Sequence, residues 1–277
     1  MKIKFFLLFL ISILQLSALA SDNDSITFVN AEWTVTTSPE GLTFHTAEMN
    51  LFDSNQSVSY VIFPYESFDI TLVPHDGLKK VSETATENNA LCAINAGYWN
   101  MDTDIAATYI RSNGKDLSKT ESVEGYRVNG IVIFDSGNFS IEYCDTTQYG
   151  DVAARFDNIL SCGPLLIDED FVFDYTGRGG FFSNRHPRSV IGTTPDGEMI
   201  FLVVDGRNKG QADGVSIPEL TEICQWLGMK DALNLDGGGS STLWFEGAVV
   251  NHPSDNHRYD HEGERKVSSS IIVGKNN

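Results

Sequence analysis

Three apolar segments of the sequence each end in a polar side chain, and a glycine follows closely in every case. These side chains are Asn95, Asp205 and Asp236. Side chains at strand ends are held rigidly and can face a cleft, where carboxylates act as acids, bases or nucleophiles. Asn234 lies two positions before Asp236, so the two-residue period of a strand predicts that both lie on one face. The alternative is an ordinary Asp-Gly turn, which is a weaker interpretation at Asp236 than at Asp205.

A loop of small residues follows Asp236. Its members are Gly237, Gly238, Gly239, Ser240 and Ser241. Successive glycines let main-chain N–H groups converge on an oxyanion, and serine hydroxyls add further donors, so the loop predicts a substrate-binding site. It lacks the lysine of a Walker loop, the spacing of a dinucleotide fingerprint and the central serine of a nucleophile elbow. Those three chemistries are therefore not indicated.

Arginines supply the positive charge that a bound phosphate needs. Arg185 and Arg188 lie three residues apart in Arg-His-Pro-Arg-Ser, and Arg207 and Arg265 lie in other polar segments. A guanidinium group can hold a phosphate through two parallel hydrogen bonds. We therefore predict that Arg188 and Arg207 act on the reacting group and that Arg185 and Arg265 bind substrate. The alternative is that each arginine pairs with a surface carboxylate.

Histidines and carboxylates are mixed in a short stretch near the C-terminus. They are His252, Asp255, His257, Asp260, His261 and Glu262. Such a mixture can ligate a metal, but its spacing matches no ligand motif, and a solvated loop is the stronger interpretation. Asp102 and Asp104 resemble the start of a calcium loop but lack its glycine and its distal glutamate. The sequence therefore requires no cofactor, and a divalent cation such as calcium stays open.

The elements that must position these residues are mostly strands. Runs rich in Thr, Val, Phe and Tyr predict strands at 32–37, 42–51, 57–63, 68–73, 130–134, 139–143, 164–167, 171–175, 189–193 and 199–204 and within 88–100. Ser216 and Glu219 form a capping box before an apolar stripe, and Gly228 is placed to end that helix. Strands around few helices, without regular alternation, predict an α+β fold: a single domain of antiparallel or mixed β-sheets with a few packed helices.

The composition excludes several classes of partner. The 277 residues are 41% hydrophobic and 21% charged, as in folded globular proteins. With 38 acidic and 19 basic residues, the formal charge is −19. So acidic a protein is poorly suited to nucleic acid or to anionic lipid surfaces. An anionic substrate must therefore be met by a local group of arginines.

The first 20 residues predict a secretory signal peptide, which leaves residues 21–277 as one mature domain. Lys2 and Lys4 precede an apolar run, and Ala-Leu-Ala at 18–20 is a small-x-small cleavage site. The run is shorter than the roughly 20 residues of a membrane span, and no later segment is as apolar. We therefore expect a secreted or periplasmic protein without a membrane span after cleavage.

Four cysteines follow the predicted signal peptide. Cys92, Cys144, Cys162 and Cys224 allow three complete disulfide pairings, between which the sequence does not choose. Cys92 and Cys224 lie in apolar segments and are equally compatible with buried thiols. The absence of a CxxC pair from the sequence disfavours a zinc–thiolate site.

Six motifs occur in a defined order along the chain. They are Ala-Ile-Asn-Ala-Gly-Tyr-Trp-Asn at 93–100, Cys-Gly-Pro-Leu-Leu at 162–166, Arg-His-Pro-Arg-Ser-Val-Ile-Gly at 185–192, Val-Asp-Gly-Arg at 204–207, Ala-Leu-Asn-Leu-Asp-Gly-Gly-Gly-Ser-Ser-Thr at 232–242 and Arg-Lys-Val-Ser at 265–268. Through these motifs the chain resembles the phosphodiester glycosidase family over residues 85–274. The motif at 232–242 is the most specific of the six.

The resemblance implies an enzyme that hydrolyses the anomeric C–O bond of a sugar-1-phosphodiester of the N-acetylglucosamine type. The products are free sugar and a phosphomonoester. The transition state of this hydrolysis resembles an oxocarbenium ion and needs a nearby carboxylate, for which Asp205 and Asp236 are the candidates. Arg188 and Arg207, with the loop at 237–241, would stabilise the departing phosphate.

The remaining assignments from the resemblance concern substrate orientation. Asn95 and Asn234 would orient sugar hydroxyls or a carboxylate. Two other functions stay open: a metal-dependent phosphodiesterase that breaks the P–O bond, and a non-catalytic glycan-binding protein on the same fold. The first predicts loss of activity with a chelator, and the second predicts binding without turnover. The partner is in each case a sugar phosphodiester or another glycan, and the oligomeric state is left open.

Overall fold

The computed structural model describes residues 23–135 and 138–276. The predicted signal peptide lies outside the described residues. The helices are α1 (23–29), α2 (Val81–Glu87), α3 (Tyr149–Ala153), α4 (Gly180–Ser183) and α5 (Ile217–Trp226). The strands are β1 (Thr34–Thr37), β2 (Thr43–Leu51), β3 (Ser54–Pro64), β4 (Phe68–Lys79), β5 (Cys92–Asn95), β6 (Trp99–Asn100), β7 (Ile105–Ala106), β8 (Ile110–Ser112), β9 (Lys115–Ser118), β10 (Gly130–Asp135), β11 (Asn138–Tyr143), β12 (Ile159–Cys162), β13 (Leu165–Asp168), β14 (Phe171–Val172), β15 (Arg188–Thr193), β16 (Glu198–Val204), β17 (Asp231–Asn234), β18 (Leu243–Phe245), β19 (Ala248–Val249) and β20 (Val267–Lys275).

The strands form three large sheets and one small hairpin. The first sheet has eight strands in the order β1-β2-β3-β16-β15-β17-β13-β14. Two five-stranded sheets have the orders β11-β10-β12-β8-β9 and β19-β18-β5-β20-β4, and β6 pairs with β7. Neighbouring strands run antiparallel, as between β15 and β16 and between β20 and β5. The predicted α+β fold, a single domain of antiparallel sheets with a few helices, is confirmed.

The eight-stranded sheet is covered on both faces, as the alternation along β16 shows. Phe201 and Val203 belong to the core between this sheet and the two five-stranded sheets. Leu202 and Val204 belong to the core beneath α1, α4 and α5. Because successive side chains point to opposite faces, a strand covered on both sides must be apolar on both, as this one is from Met199 to Val204.

Helix α5 begins and ends where the sequence predicts. The Ser216 hydroxyl accepts a hydrogen bond from the Glu219 amide, and the Glu219 carboxylate accepts one from the Ser216 amide, 2.8 Å away. Gly228 has a φ of +72°, the left-handed conformation that closes a helix at low cost only with glycine. Ile217, Leu220 and Ile223 are fully buried against the sheet.

Helix α2 was not predicted, because three threonine or valine residues in its seven positions disfavour a helix locally. Packing outweighs that preference, since Val81 and Ala85 are fully buried in a small core with Trp244. The β10–β11 hairpin is confirmed, although residues 136–137 of its turn lie outside the described residues. Strand β4 extends to Lys79, six residues past the predicted end.

All four cysteines are free thiols and buried. Burial raises the pKa of each thiol, to about 11 for Cys144, so the reactive thiolate is scarce at neutral pH. The sequence left open both disulfides and buried thiols, and the structure contains buried thiols. Separately, none of the helices within 23–135 and 138–276 combines the length and apolar content of a membrane crossing.

The segment before β13 packs main chain against main chain. A Cβ at Gly163 would lie 3.0 Å from Val128 Cα and 3.1 Å from Asn129 N, and closer still to the Arg127 carbonyl oxygen. Main-chain atoms at such distances can yield only if a whole segment shifts. Glycine is therefore required here by space rather than by dihedral angle.

We predict that Gly163→Ala lowers the free energy of unfolding by about 2 kcal/mol or more, the upper range for overpacking. Gly150→Ala is the matched control, because a Cβ at Gly150 would meet nothing within 4 Å. We expect this control to be neutral or slightly stabilising, since alanine favours helix α3. Urea unfolding of both variants measures the difference, and equal stabilities would contradict the packing argument.

Candidate active site

Asn95 joins two sheets and the loop after β17 at one buried point. Its Nδ2 donates to the Asp236 carbonyl oxygen at 2.6 Å. Its Oδ1 accepts from the Ser189 hydroxyl at 2.8 Å and from the Thr242 amide at 3.1 Å. The side chain is fully buried, so the structure places this predicted substrate-binding residue beneath the site, where it positions Asp236.

Asn234 is likewise buried under the site. Its Nδ2 donates to the Tyr98 hydroxyl at 3.1 Å and to the carbonyl oxygens of Gly163 and Leu235, both at 2.8 Å. The Tyr98 hydroxyl in turn donates to the Gly163 carbonyl oxygen. The Gly163 carbonyl oxygen, bound by both Asn234 and Tyr98, therefore holds the end of β17 against the segment before β13 and orients Asp236, two positions on.

Asp236 is a half-buried carboxyl group whose pKa is raised to about 7. Burial is the main cause, because a carboxylate loses hydration there. The Ser240 hydroxyl, the charge of Arg265 and the Gly237 amide lower its pKa, while the charge of Glu124 raises it further. A carboxyl group with a pKa near neutrality can donate or accept a proton during a reaction.

The main-chain amides of the loop at 237–241 are largely occupied. Gly238 N donates to the Pro187 carbonyl oxygen at 2.8 Å. Ser240 N and Ser241 N donate within the loop, to the oxygens of Gly237 and Gly238, both at 3.3 Å. These three amides therefore shape the loop, and an anion must be held mainly by side chains around it.

The glycines provide space for two arginine side chains. A Cβ at Gly238 would lie 2.6 Å from Arg207 Nη2. A Cβ at Gly239 would lie 2.6 Å from both Cζ and Nη2 of Arg265. Each guanidinium group therefore lies directly against bare main chain. Gly238 also has a φ of +66°, which disfavours other residues independently.

Arg207 carries a guanidinium group with no hydrogen bond or ion pair to any residue in 23–135 or 138–276. The residue is exposed and has a φ of +63°. Partial burial of the side chain and the charge of Arg265 lower its pKa, while Asp255 and Asp236 raise it. An unpaired cation held near like charge is suited to binding an anion.

Arg188 is only 3% exposed, yet no carboxylate pairs with it in the described part of the chain. Its Nε donates to the Val215 carbonyl oxygen at 3.1 Å. Its Nη2 donates to the carbonyl oxygens of Phe181 and Asn184 at 3.0 and 3.1 Å. Burial, with a smaller effect from the charge of Arg207, lowers its pKa to about 10. We call Arg188, Arg207 and Arg265 the arginine cluster.

The other two predicted arginines have carboxylate partners. Arg265 Nε donates to Asp255 Oδ1 at 2.7 Å, and Asp255 is exposed. Arg185 is not brought to the site: its Nε donates to Glu219 at 3.0 Å and its Nη1 to the Ser54 hydroxyl at 2.7 Å. Arg185 thus ties the start of α5 to β3.

Asp205 is 1% exposed, and both of its oxygens are engaged. Oδ2 accepts from the Ser57 hydroxyl at 2.8 Å and from His252 Nδ1 at 3.0 Å. Oδ1 accepts from Asn251 Nδ2 at 2.8 Å and from the His252 amide at 3.0 Å. Asp205 therefore holds the start of the loop that carries Asp255 and Arg265.

His252 is a residue whose placement the sequence did not reveal. Its ring stacks on Tyr259 with centroids 3.9 Å apart and on His261 with centroids 4.5 Å apart. Asp205 and His252 are 47 positions apart in the sequence, so no local pattern reveals their contact. Within the described residues, no three His, Cys, Asp or Glu side chains are grouped as metal ligands.

The site as a whole combines a proton-exchanging carboxyl group with clustered positive charge. We call Asp236 and the buried Arg188 the floor of the site. Arg265 is close enough to Asp236 to lower the pKa of its carboxyl group. Arg207 and Arg188 lie close enough to lower the pKa of the His186 imidazole, which burial lowers most. Such a site can bind an oxyanion and transfer a proton beside it.

Comparison with known proteins gives a sequence match over most of the chain. The family described as phosphodiester glycosidase matches residues 88–274. The N-acetylglucosamine-1-phosphodiester alpha-N-acetylglucosaminidase of Bos taurus is 26% identical over 209 residues, which are 70% of this chain and 38% of that protein. The SPbeta prophage-derived uncharacterized protein YomE of Bacillus subtilis (strain 168) is 27% identical over 185 residues, which are 63% of this chain and 27% of that protein. The chain thus spans well under half the length of these relatives.

Solved structures share the fold. The catalytic domain of zebrafish N-acetylglucosamine-1-phosphodiester alpha-N-acetylglucosaminidase, auto-inhibited by its pro-peptide, superposes with a TM-score of 0.66 at 20% identity, covering 88% of each chain. A hypothetical protein from Synechocystis superposes with a TM-score of 0.65 at 18% identity, covering 88% of this chain and 64% of that one. At these identities the likeness concerns the fold alone.

We predict that Arg207→Ala weakens the binding of inorganic phosphate about 10- to 150-fold, the range for one charge-assisted hydrogen bond. Lys209→Ala is the control, because Lys209 is an exposed cation two residues further along the same loop. Titration calorimetry at fixed ionic strength measures both affinities. Equal losses in the two variants would mean that phosphate responds only to overall charge.

We predict that Asp236→Asn raises the free energy of unfolding relative to wild type, and more so at pH 8 than at pH 5. Because the folded-state pKa of about 7 lies above the usual 3.8, ionisation destabilises the folded protein. The penalty is absent below about pH 4 and reaches its full size above about pH 7. Between pH 5 and pH 8 the advantage of the variant should grow by about 2 kcal/mol. Urea unfolding at both values tests this, and a constant difference would contradict it.

Proposed function

The chain belongs to the phosphodiester glycosidase family, and we propose that it hydrolyses the anomeric C–O bond of a sugar-1-phosphodiester. The observation that carries this proposal is that Arg188 and Arg207 lack carboxylate partners within the described ranges. In a protein of charge −19, neither has a carboxylate ion-pair partner among the described residues. Arginines that stay unpaired among so many acids favour an anionic ligand over a structural role.

The arginine cluster supports binding of the phosphate group of the substrate. Arg207 is exposed beside Gly238 and offers its fork of N–H donors. Arg265 can exchange its exposed partner Asp255 for a phosphate oxygen, because exposed ion pairs contribute little stability. Arg188 contributes charge from beneath. The same groups would stabilise the negative charge that grows on the phosphate as the C–O bond breaks.

Asp236 supports the proton transfer of this reaction. Near neutral pH part of the population is protonated, so the carboxyl group can give a proton to the departing phosphate oxygen. Asp205 serves in our proposal as a positioning residue, since its contacts fix His252 and the start of the loop that carries Arg265. Asn95 and Asn234 hold Asp236 in place from below.

The proposed sugar is of the N-acetylglucosamine type, by analogy with the activity for which the Bos taurus relative is named. We further propose that the protein is exported to the periplasm or the medium, on the basis of the signal-peptide pattern in residues 1–20. Its substrate would then be a sugar phosphodiester outside the cytoplasm.

The test is hydrolysis of an alkyl N-acetylglucosamine-1-phosphodiester in water enriched in oxygen-18, with and without chelator. C–O cleavage gives free sugar and an alkyl phosphate without label, because water attacks carbon. P–O cleavage puts the label into sugar-1-phosphate, and loss of activity with chelator would identify a metal-dependent phosphodiesterase. Binding of the diester without turnover, across a panel of sugars, would instead identify a glycan-binding protein.

We predict that Asp236→Asn lowers kcat at least about 100-fold, because loss of a general acid typically costs that much. Asp151→Asn is the control, since Asp151 is an exposed carboxylate on α3, and it should act like wild type. Mass spectrometry of the products measures both rates. Near-normal turnover by a folded Asp236→Asn variant would remove this residue from the mechanism.

A further inference from the structure

The turn at residues 121–128 lies against the floor of the candidate site. The Glu124 carbonyl oxygen accepts from the amides of Arg127 at 2.8 Å and of Val128 at 3.2 Å, which closes the turn. Beyond it, Val128 packs on Gly163, where a Cβ would lie only 3.0 Å from Val128 Cα. The turn is thus fixed by main-chain contact with the segment before β13.

That segment also orients Asp236. The Gly163 carbonyl oxygen accepts from Asn234 Nδ2 at 2.8 Å, and Asn234 is two residues before Asp236. Asn129 adds a second link, because its Oδ1 accepts from the Leu165 amide at 2.8 Å. The turn and the catalytic carboxyl candidate therefore share one support, and their separation is set by the fold.

Two side chains of the turn, Glu124 and Arg127, are linked to Arg188 through the Phe181 ring. Glu124 Oε2 lies 3.1 Å from Arg127 Nη1, and the Arg127 guanidinium lies 4.3 Å above the Phe181 ring. Arg188 approaches the same ring at 5.3 Å. Phe181 thus packs against a guanidinium group from the turn and one from the floor. The ion pair with Arg127 therefore holds the Glu124 carboxylate on the Phe181 side of the candidate site.

The electrostatics agree with this placement. Burial raises the pKa of Asp236 and of Tyr98, and the charge of Glu124 raises both further. Glu124 itself is largely buried, which raises its pKa, while Arg127 lowers it. Glu121, in the same turn, points elsewhere, with Oε2 accepting from Asn100 Nδ2 at 3.2 Å.

We propose that Glu124 is the second carboxyl group of the active site and the base that activates the attacking water. This assignment rests on the proposed function. The water oxygen bonds to the anomeric carbon and its proton passes to the Glu124 carboxylate. The bond from that carbon to the phosphate oxygen breaks, its electron pair stays on the oxygen, and Asp236 supplies that oxygen with a proton. Glycoside hydrolysis commonly uses two carboxyl groups on opposite sides of the reacting carbon.

The decisive experiment compares Glu124→Ala, Glu124→Gln and the control Glu121→Gln on the same sugar-1-phosphodiester, with and without sodium azide. We expect both Glu124 variants to lose at least about 100-fold in kcat, and Glu121→Gln to stay within about threefold of wild type. Azide needs no deprotonation before it attacks. It should therefore restore turnover to Glu124→Ala and yield a glycosyl azide, a product that a merely structural role would not give.

Each outcome decides the matter. If wild type turns over and a folded Glu124→Gln variant keeps a kcat within about threefold of it, the assignment is overturned. The proposed function is then left intact. Loss of activity in both Glu124 variants without azide rescue also overturns it, because Glu124 would then be structural. Absence of turnover in wild type overturns the proposed function and this assignment together. Thermal melting curves show which variants are folded, and Glu124→Gln keeps the shape of the side chain if alanine does not fold.

Discussion

The carboxamide of Asn95 is the contact on which the geometry of the site depends. It joins β5 of one sheet, Ser189 on β15 of another, and the loop between Asp236 and Thr242. Each buried partner would lose its hydrogen bond if the carboxamide were missing, at about 1–3 kcal/mol apiece. An aspartate of equal size could accept but not donate. One amide therefore sets how the two layers meet, and with them the position of Asp236.

The arginine cluster shows how an acidic protein can keep a positive site. Main-chain carbonyl oxygens rather than carboxylates satisfy Arg188, so its charge is held in place without being cancelled. Arg207 is oriented by packing on glycine. Carboxylates at these positions would form ion pairs and reduce the local potential. The pairing of Arg265 with an exposed Asp255 is the exception, and it can be exchanged when a stronger anion arrives.

Local patterns in the sequence predicted the elements and the loops of the site, and they failed where contacts are distant in sequence. Period-two runs and the Ser216 capping box predicted strands and α5 because those signals act over few residues. The roles of Asn95 and Arg185 were not predictable, because their partners are distant in sequence. The partners of Asn95 lie 94 and 141 positions away, and Ser54, which Arg185 contacts, lies 131 positions away. Glu124 lies in a turn without any motif. The sequence predicted that the glycines bind an anion through their main-chain amides. Only the structure shows that they also leave room for the side chains of Arg207 and Arg265.

Gly238 and Arg207 each restrict which residues can stand at the other position, because each occupies the space beside the other. Any side chain at Gly238 would occupy the volume of the guanidinium group, and loss of the arginine would leave a gap above main chain in a left-handed conformation. A side chain at Gly238 would require the guanidinium group to move, so we expect the two positions to change together. Gly239 and Arg265 are related in the same way. The four positions are therefore coupled in pairs, and a substitution at one of them changes the space available to its partner.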